Sequence, residues 1–196
     1  MTLEAFLVST SVVALAEMGD KTQLLSFVLA ARLQRKLPIA LGILAATLAN
    51  HALAGWVGAW LASLVTPATL KWIVAISFFA FGAWALKPDK LDDGTQLRAA
   101  GVFVTTLIAF FLVEMGDKTQ LATVALAARY DSLVQVVLGT TLGMMIANVP
   151  AVWLGEALCR RVNMQAMRGA AAALFVLLGV LTLVAGDGIS VGAPAK

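Results

Sequence analysis

One stretch of residue types suited to chemistry occurs twice in this sequence. EMGDKTQL runs from Glu17 to Leu24 and again from Glu114 to Leu121, at an offset of 97 residues. Each copy places two acids, a lysine and a glutamine inside a long apolar segment, where ionisable side chains are costly and usually functional. The rest of the chain is therefore expected to hold these two copies together.

The two copies offer four carboxylates as cation ligands. The predicted metal ligands are Glu17, Asp20, Glu114 and Asp117. On a continuous helix, the glutamate, aspartate and lysine of one copy stand at i, i+3 and i+4 and share one face. An all-oxygen set suits calcium, magnesium or manganese, whereas zinc or copper would call for cysteine or several histidines.

Other polar residues in the apolar segments are predicted to support the ligands or to line the substrate path. These are Gln23, Gln120, Lys21, Lys118, Thr22, Thr119, Asn50, His51 and Asn148, with Gly19 and Gly116 in structural roles. Gly19 and Gly116 let helices pack closely or let the backbone open. For Asn50, His51 and Asn148, an ordinary interhelical hydrogen-bonding role is an equal alternative.

The charges of the two copies predict ion exchange. Each copy carries two negative charges and one positive charge, so one divalent cation would balance the pair. Without the metal, carboxylates that face each other in a low dielectric favour protonation. The pattern thus predicts a cation–proton antiporter, and the alternative is that the charges form internal salt bridges between helices.

The composition indicates a membrane protein. Of the 196 residues, 61% are hydrophobic and 13% are charged, against about 45–50% and about 25% in soluble domains. The net charge of +3 comes from basic residues in short loops, which indicates membrane topology and not nucleic-acid binding. The single cysteine, Cys159, excludes an internal disulfide and a cysteine metal site.

Six segments approach the length of about 20 apolar residues that a membrane helix needs. They run approximately over 3–31, 38–64, 70–86, 99–128, 133–158 and 169–185. The repeat extends beyond the motif, since Leu41-Gly42 matches Leu138-Gly139 and Trp56 matches Trp153 at the same offset. We therefore predict an all-α integral membrane protein: a three-helix repeat over 1–86, a cytoplasmic linker over 87–98 and a second repeat over 99–196.

The distribution of lysine and arginine predicts the orientation. Nine of the 14 basic residues fall in loops one, three and five: Arg32, Arg35, Lys36, Lys87, Lys90, Arg98, Arg160, Arg161 and Arg168. These loops are predicted to be cytoplasmic, with both termini outside. Three helices per repeat then make the two halves antiparallel, as in secondary transporters whose site lies at the midplane between inverted repeats.

The doubled motif resembles the signature Glu-x-Gly-Asp-(Lys/Arg)-(Thr/Ser) of the manganese/calcium–proton exchangers, a family with Golgi, chloroplast and bacterial members. The resemblance covers essentially the whole chain, and both copies match the signature fully. It implies functional roles for Glu17, Asp20, Lys21 and Thr22, and for Glu114, Asp117, Lys118 and Thr119. The short chain is similar to the bacterial branch, which implies manganese export across the plasma membrane.

The leading hypothesis is therefore a multi-pass transporter that exchanges Mn²⁺ for protons, with the metal as substrate and no cofactor. A calcium–proton antiporter with the same site is the first alternative. An intramembrane aspartyl enzyme would need Asp20 and Asp117 as a dyad that shares a proton, and a passive channel is a third class. The expected partners are the cation, protons and lipid, without nucleic acid, and a homodimer is compatible with the sequence.

Overall fold

The computed structural model describes residues 2–87, 101–130, 132–154 and 163–184, and its regular elements there are α-helices. In chain order these are α1 (Thr2–Glu17), α2 (Lys21–Leu33), α3 (Lys36–Leu64), α4 (Pro67–Ala85), α5 (Val102–Glu114), α6 (Lys118–Arg129), α7 (Leu133–Leu154) and α8 (Met164–Val184). The all-helical prediction is confirmed for this part of the chain.

Four of the described helices, α3, α4, α7 and α8, are long and apolar enough to cross a membrane. Large apolar side chains cover the outside, among them Leu3, Trp56, Trp72, Ile76 and Leu154. Several charged and polar side chains are buried inside instead. This reversal of the soluble pattern is what a protein dissolved in lipid requires.

The predicted continuous helices over 3–31 and 99–128 are wrong, because each is broken at the repeated motif. The first ends at Glu17 and restarts at Lys21, and the second ends at Glu114 and restarts at Lys118. A glycine causes each break: Gly19 has φ +81° and Gly116 has φ +76°. That left-handed conformation is readily adopted by glycine and stops an α-helix.

Two apolar clusters hold the helices together. One is centred on Phe78, Phe81 and Phe175, where α4 packs on α8. The other lies between α2, α3 and α5. Close helix crossings depend on glycine: a Cβ at Gly58 would overlap the carbonyl oxygen of Val124 on α6.

The remaining helix boundaries mostly follow the sequence. Thr66 caps α4 by accepting a hydrogen bond from the Thr69 amide, and Pro67 begins the helix, as expected for a proline at the first helical position. Arg168 lies within α8 and not in a loop, because α8 begins earlier than predicted. The predicted linker after Lys87, the loop at Arg160 and Arg161, and the tail after 184 lie outside the described residues.

Candidate functional site

The four acids of the motifs stand at the two helix breaks. Glu17 and Glu114 are the last residues of α1 and α5, and Asp20 and Asp117 directly precede α2 and α6. All four are buried, with at most 3% of their surface exposed. An aspartate at a helix N-terminus is favoured by the helix dipole. The break thus places the glutamate and the aspartate of each motif at the facing ends of two helices.

Each motif folds into the same local turn. The Thr22 hydroxyl donates to Glu17 Oε2, and the Thr119 hydroxyl donates to Glu114 Oε1 at 2.6 Å. The glycine amides at the breaks are also hydrogen-bonded, since Gly19 N donates to Gln23 Oε1 at 3.0 Å and Gly116 N donates to Gln120 Oε1 at 2.6 Å. Threonine and glutamine therefore fix the shape of each half of the site.

Two ion pairs connect the motifs to each other. Lys21 Nζ lies 2.9 Å from Asp117 Oδ1, and Lys118 Nζ lies 2.6 Å from Asp20 Oδ1. Each lysine thus pairs with the aspartate of the other motif. The sequence predicted that the two motifs would meet, but it gave no sign of this exchange of partners.

Three carboxylates form a candidate cation site. Glu17, Glu114 and Asp117 each offer an oxygen, and these three oxygens lie within 4.8 Å of one another. Asp20, the fourth predicted ligand, is not part of this set and contacts Lys118. The structure therefore brings acids of both motifs together, although with three carboxylates in the cluster and not four.

Within the three-carboxylate cluster, the oxygens that lack a hydrogen bond to the described residues belong to the two glutamates. Asp117 Oδ1 faces Lys21, and Asp117 Oδ2 accepts a bond of 3.3 Å from Thr119. By contrast, Glu17 Oε1 and Glu114 Oε2 are buried without a hydrogen bond among the described residues. A buried carboxylate oxygen without a partner is costly, so these two oxygens are the strongest candidates to bind a cation or a proton.

The predicted polar neighbours on α3 and α7 also lie against the motifs. Gln120 Nε2 donates to Asn50 Oδ1 at 3.4 Å, and Gln23 Nε2 donates to the Ala147 carbonyl at 3.0 Å. Asn50 Nδ2 in turn donates to the Phe111 carbonyl at 3.1 Å. Positions 50 and 147 are related by the offset of 97 residues, so the two glutamines reach equivalent points.

The position of His51 completes the surroundings of the cluster. Its Nε2 lies 3.8 Å from Glu114 Oε1, and the side chain is fully buried. Asn148, at the equivalent place in the second half, accepts a hydrogen bond of 2.9 Å from Ser26. Ser26 lies nine residues after Glu17, on the helix that follows the break.

Broken helices that bury acids from two sequence repeats, inside a lipid-facing helical shell, define a membrane protein that handles ions. The chain belongs to the family described as divalent cation/proton antiporter GDT1, which matches residues 5–93 and 102–189. The resemblance read from the doubled motif is thereby confirmed.

Relatives in bacteria and plants agree with this family. The chain is 48% identical over 176 residues, 89% of its length and 88% of the relative's, to a Vibrio cholerae protein named "Putative manganese exporter". It is 26% identical over 220 residues, 92% of this chain and 96% of the relative, to "GDT1-like protein 5" of Arabidopsis thaliana. No solved structure matches the chain.

Membership in a family of antiporters makes this chain a transporter and not an enzyme. The alternative of an intramembrane aspartyl enzyme is therefore set aside. The substrates of such a transporter are a divalent cation and protons, and the apolar helices place it in a membrane.

Proposed function

We propose that this protein exports Mn²⁺ from the cytoplasm in exchange for protons, by alternating access to the site between the two motifs. The observation that carries the proposal is the buried cluster of Glu17, Glu114 and Asp117, which draws its oxygens from both motifs. A cation held by both halves of the protein is released when the halves move relative to each other, as alternating access requires.

The charges around the cluster support exchange with protons. The pairs Lys21–Asp117 and Lys118–Asp20 each combine one positive and one negative charge. Together with Glu17 and Glu114, the charged side chains of the two motifs then carry a net charge of −2. One divalent cation or two protons would neutralise them, so the exchange is proposed to be electroneutral, with two protons for each cation.

Six crossings arranged as two inverted repeats are part of the proposal. In addition to the four long helices, α1 with α2 would form one broken crossing, and α5 with α6 would form the other. α1 and α2 have 16 and 13 residues, and α5 and α6 have 13 and 12 residues. At a rise of about 1.5 Å per residue, each pair is long enough to cross a bilayer core of about 30 Å. The matching turns and crossed ion pairs support the equivalence of the two halves.

The orientation and the metal follow from two further observations. The excess of lysine and arginine in or directly beside loops one, three and five supports a cytoplasmic location for those loops. The name of the Vibrio relative supports manganese as the substrate and the bacterial plasma membrane as the location. The oxygen ligands alone would also accept calcium.

Transport into liposomes tests the proposal. Purified protein is reconstituted, a pH gradient is imposed, and uptake of Mn²⁺, Ca²⁺ and Mg²⁺ is compared. We expect gradient-dependent uptake of Mn²⁺ that Ca²⁺ and Mg²⁺ compete with only weakly. Preferential uptake of Ca²⁺ would instead identify a calcium–proton antiporter, and uptake that ignores the pH gradient would contradict proton exchange.

Variants of the two glutamates connect transport to the site. Glu17→Gln and Glu114→Gln each keep an oxygen that can accept the threonine hydrogen bond but remove one charge. We expect each to reduce Mn²⁺ transport more than about 100-fold, beyond the usual effect of losing a residue that only supports a ligand. Glu4→Gln is the matched control, because Glu4 is exposed near the start of α1 and contacts Tyr130.

A further inference from the structure

His51 and Asn148 occupy equivalent positions in the two repeats, but their side chains differ in the hydrogen bonds that they make. Asn148 Oδ1 accepts a bond of 2.9 Å from Ser26, and Asn148 Nδ2 donates to the Met144 carbonyl at 3.1 Å. Both ends of this amide are thus engaged within the protein. Asn148 has the contacts of a residue that connects helices.

His51 has no such contacts. Its side chain is fully buried, and neither ring nitrogen has a hydrogen-bond partner among the described residues. Buried polar atoms are nearly always paired, and an imidazole left unpaired in the interior is costly. A purely structural histidine would be expected to donate one ring hydrogen to a nearby carbonyl, as Asn148 does.

The unpaired imidazole faces the carboxylate cluster. His51 Nε2 is 3.8 Å from Glu114 Oε1, which is too far for a hydrogen bond. Two atoms that both bind one cation at about 2.1–2.4 Å can lie at most about 4.2–4.8 Å apart, so this separation fits two ligands of the same ion. Glu114 belongs to the carboxylate cluster, and its other oxygen is also unpaired.

We propose that His51 Nε2 is a ligand of the transported cation, and that this nitrogen makes the site prefer Mn²⁺ to Ca²⁺ and Mg²⁺. The inference rests on the function proposed above and adds the source of its selectivity. Ca²⁺ and Mg²⁺ bind oxygen almost exclusively. Mn²⁺ also prefers oxygen, but as a first-row transition metal it accepts an imidazole nitrogen more readily than they do. A single nitrogen among carboxylates therefore favours Mn²⁺.

Isotope labelling of the wild-type chain tests the ligation directly. His51 is the only histidine in the sequence, so protein prepared without a histidine tag and with ¹⁵N-labelled imidazole carries the label at this position alone. Pulsed electron paramagnetic resonance of bound Mn²⁺ then reports whether a histidine nitrogen touches the metal. We expect a ¹⁴N coupling in unlabelled protein that is replaced by a ¹⁵N coupling in labelled protein.

Two substitutions test the selectivity. His51→Gln keeps a polar side chain of similar reach, and His51→Asn introduces the residue present at position 148. We expect both to lose the nitrogen coupling and to lower Mn²⁺ affinity at least about tenfold, the lower end of the effect seen for groups that tune a metal site. The affinity for Ca²⁺, measured by competition, should change much less.

The outcomes separate this inference from the proposed function. If Mn²⁺ binds to wild type and is lost in Glu17→Gln but shows no coupling to nitrogen, His51 is not a ligand and the transport function stands. Equal losses of Mn²⁺ and Ca²⁺ affinity in the two His51 variants would overturn the selectivity role. If Mn²⁺ does not bind to the wild-type chain at all, both proposals fail.

Discussion

The two copies of the motif have the same eight residues and make the same turn, yet their surroundings differ. In both copies the threonine donates to the glutamate and the glutamine accepts from the glycine amide. The lysines differ in exposure: the side chain of Lys118 is 4% exposed, and that of Lys21 is 22% exposed. The local sequence therefore determines the turn, while the flanking helices determine how deeply each half is buried.

A second difference lies on the helices opposite the motifs. The first motif faces α7, where Gln23 bonds a main-chain carbonyl and Ser26 bonds Asn148. The second motif faces α3, where Gln120 bonds the Asn50 side chain and Glu114 lies near His51. Each half keeps one glutamate oxygen without a hydrogen bond among the described residues, Glu17 Oε1 and Glu114 Oε2. The half that α3 completes also contains the unpaired ring nitrogens of His51, where the half that α7 completes has the hydrogen-bonded amide of Asn148.

The largest stability difference is predicted between the two crossed ion pairs. Removing one partner of a buried pair costs about 3–5 kcal/mol, and we expect this loss for Lys118→Met, whose cation faces Asp20. Lys21→Met should cost less, at or below the lower end of that range, because the lysine it removes is partly exposed although Asp117 is buried. Denaturation of the purified protein in mixed detergent micelles measures both.

A double substitution provides the control for these pairs. Combining Lys118→Met with Asp20→Asn should recover part of the lost stability, because the aspartate charge is removed together with its partner. Equal losses of stability in Lys118→Met and Lys21→Met would show that the different burial of the two lysines does not affect the strength of their ion pairs.

The next largest effect is predicted at the glycines of the breaks. Gly19→Ala and Gly116→Ala should each cost about 1–2 kcal/mol, because L-residues are strained at these φ angles. A Cβ at Gly116 would have nothing within 4 Å, so the loss there would arise from the backbone alone. Transport should also fall, since the turn positions the glutamate and the aspartate.

Gly101 is the matched control for this prediction. It has φ +74° and equally open surroundings, but it lies before α5 and away from the cluster. Gly101→Ala should reduce stability by a similar amount and leave transport unchanged. If Gly116→Ala transported Mn²⁺ as well as Gly101→Ala does, the turn would not be needed to position the acids.

The smallest effect is predicted for the hydroxyls after the motifs. Ser26 bonds both the Thr22 carbonyl and Asn148, whereas Thr123 bonds the Thr119 carbonyl of its own helix. Ser26→Ala should therefore cost about 0.6 kcal/mol, a typical value for a hydrogen bond between membrane helices. Thr123→Ser keeps its hydroxyl and should cost less. A larger loss of stability for Thr123→Ser than for Ser26→Ala would contradict this prediction.

The sequence predicted the membrane class, most helix boundaries and the meeting of the two motifs. These features depend on apolar length, on turn residues such as Thr66 and Pro67, and on an eight-residue identity. It did not predict the breaks, because Gly19 and Gly116 are compatible with either a packed helix or an opened backbone. The prediction that Glu17, Asp20 and Lys21 share one face of a continuous helix was wrong for that reason.

Other features of the site depend on tertiary packing and could not be read along the chain. Lys21 could pair with either motif's acids on sequence grounds, and only the packing selects Asp117. Likewise, His51 and Asn148 had equal claims to a role, because their difference lies in which hydrogen-bond partners the neighbouring helices supply.

The number of Mn²⁺ ions that bind to each chain most directly tests whether the two motifs form one site. Titration of the purified protein with Mn²⁺, followed by the loss of the free-ion resonance signal, measures this number in wild type, Glu17→Gln and Glu114→Gln. We predict one tightly bound ion per chain in wild type and none in either variant. Two ions in wild type, with one retained in each variant, would show two independent sites and contradict the account.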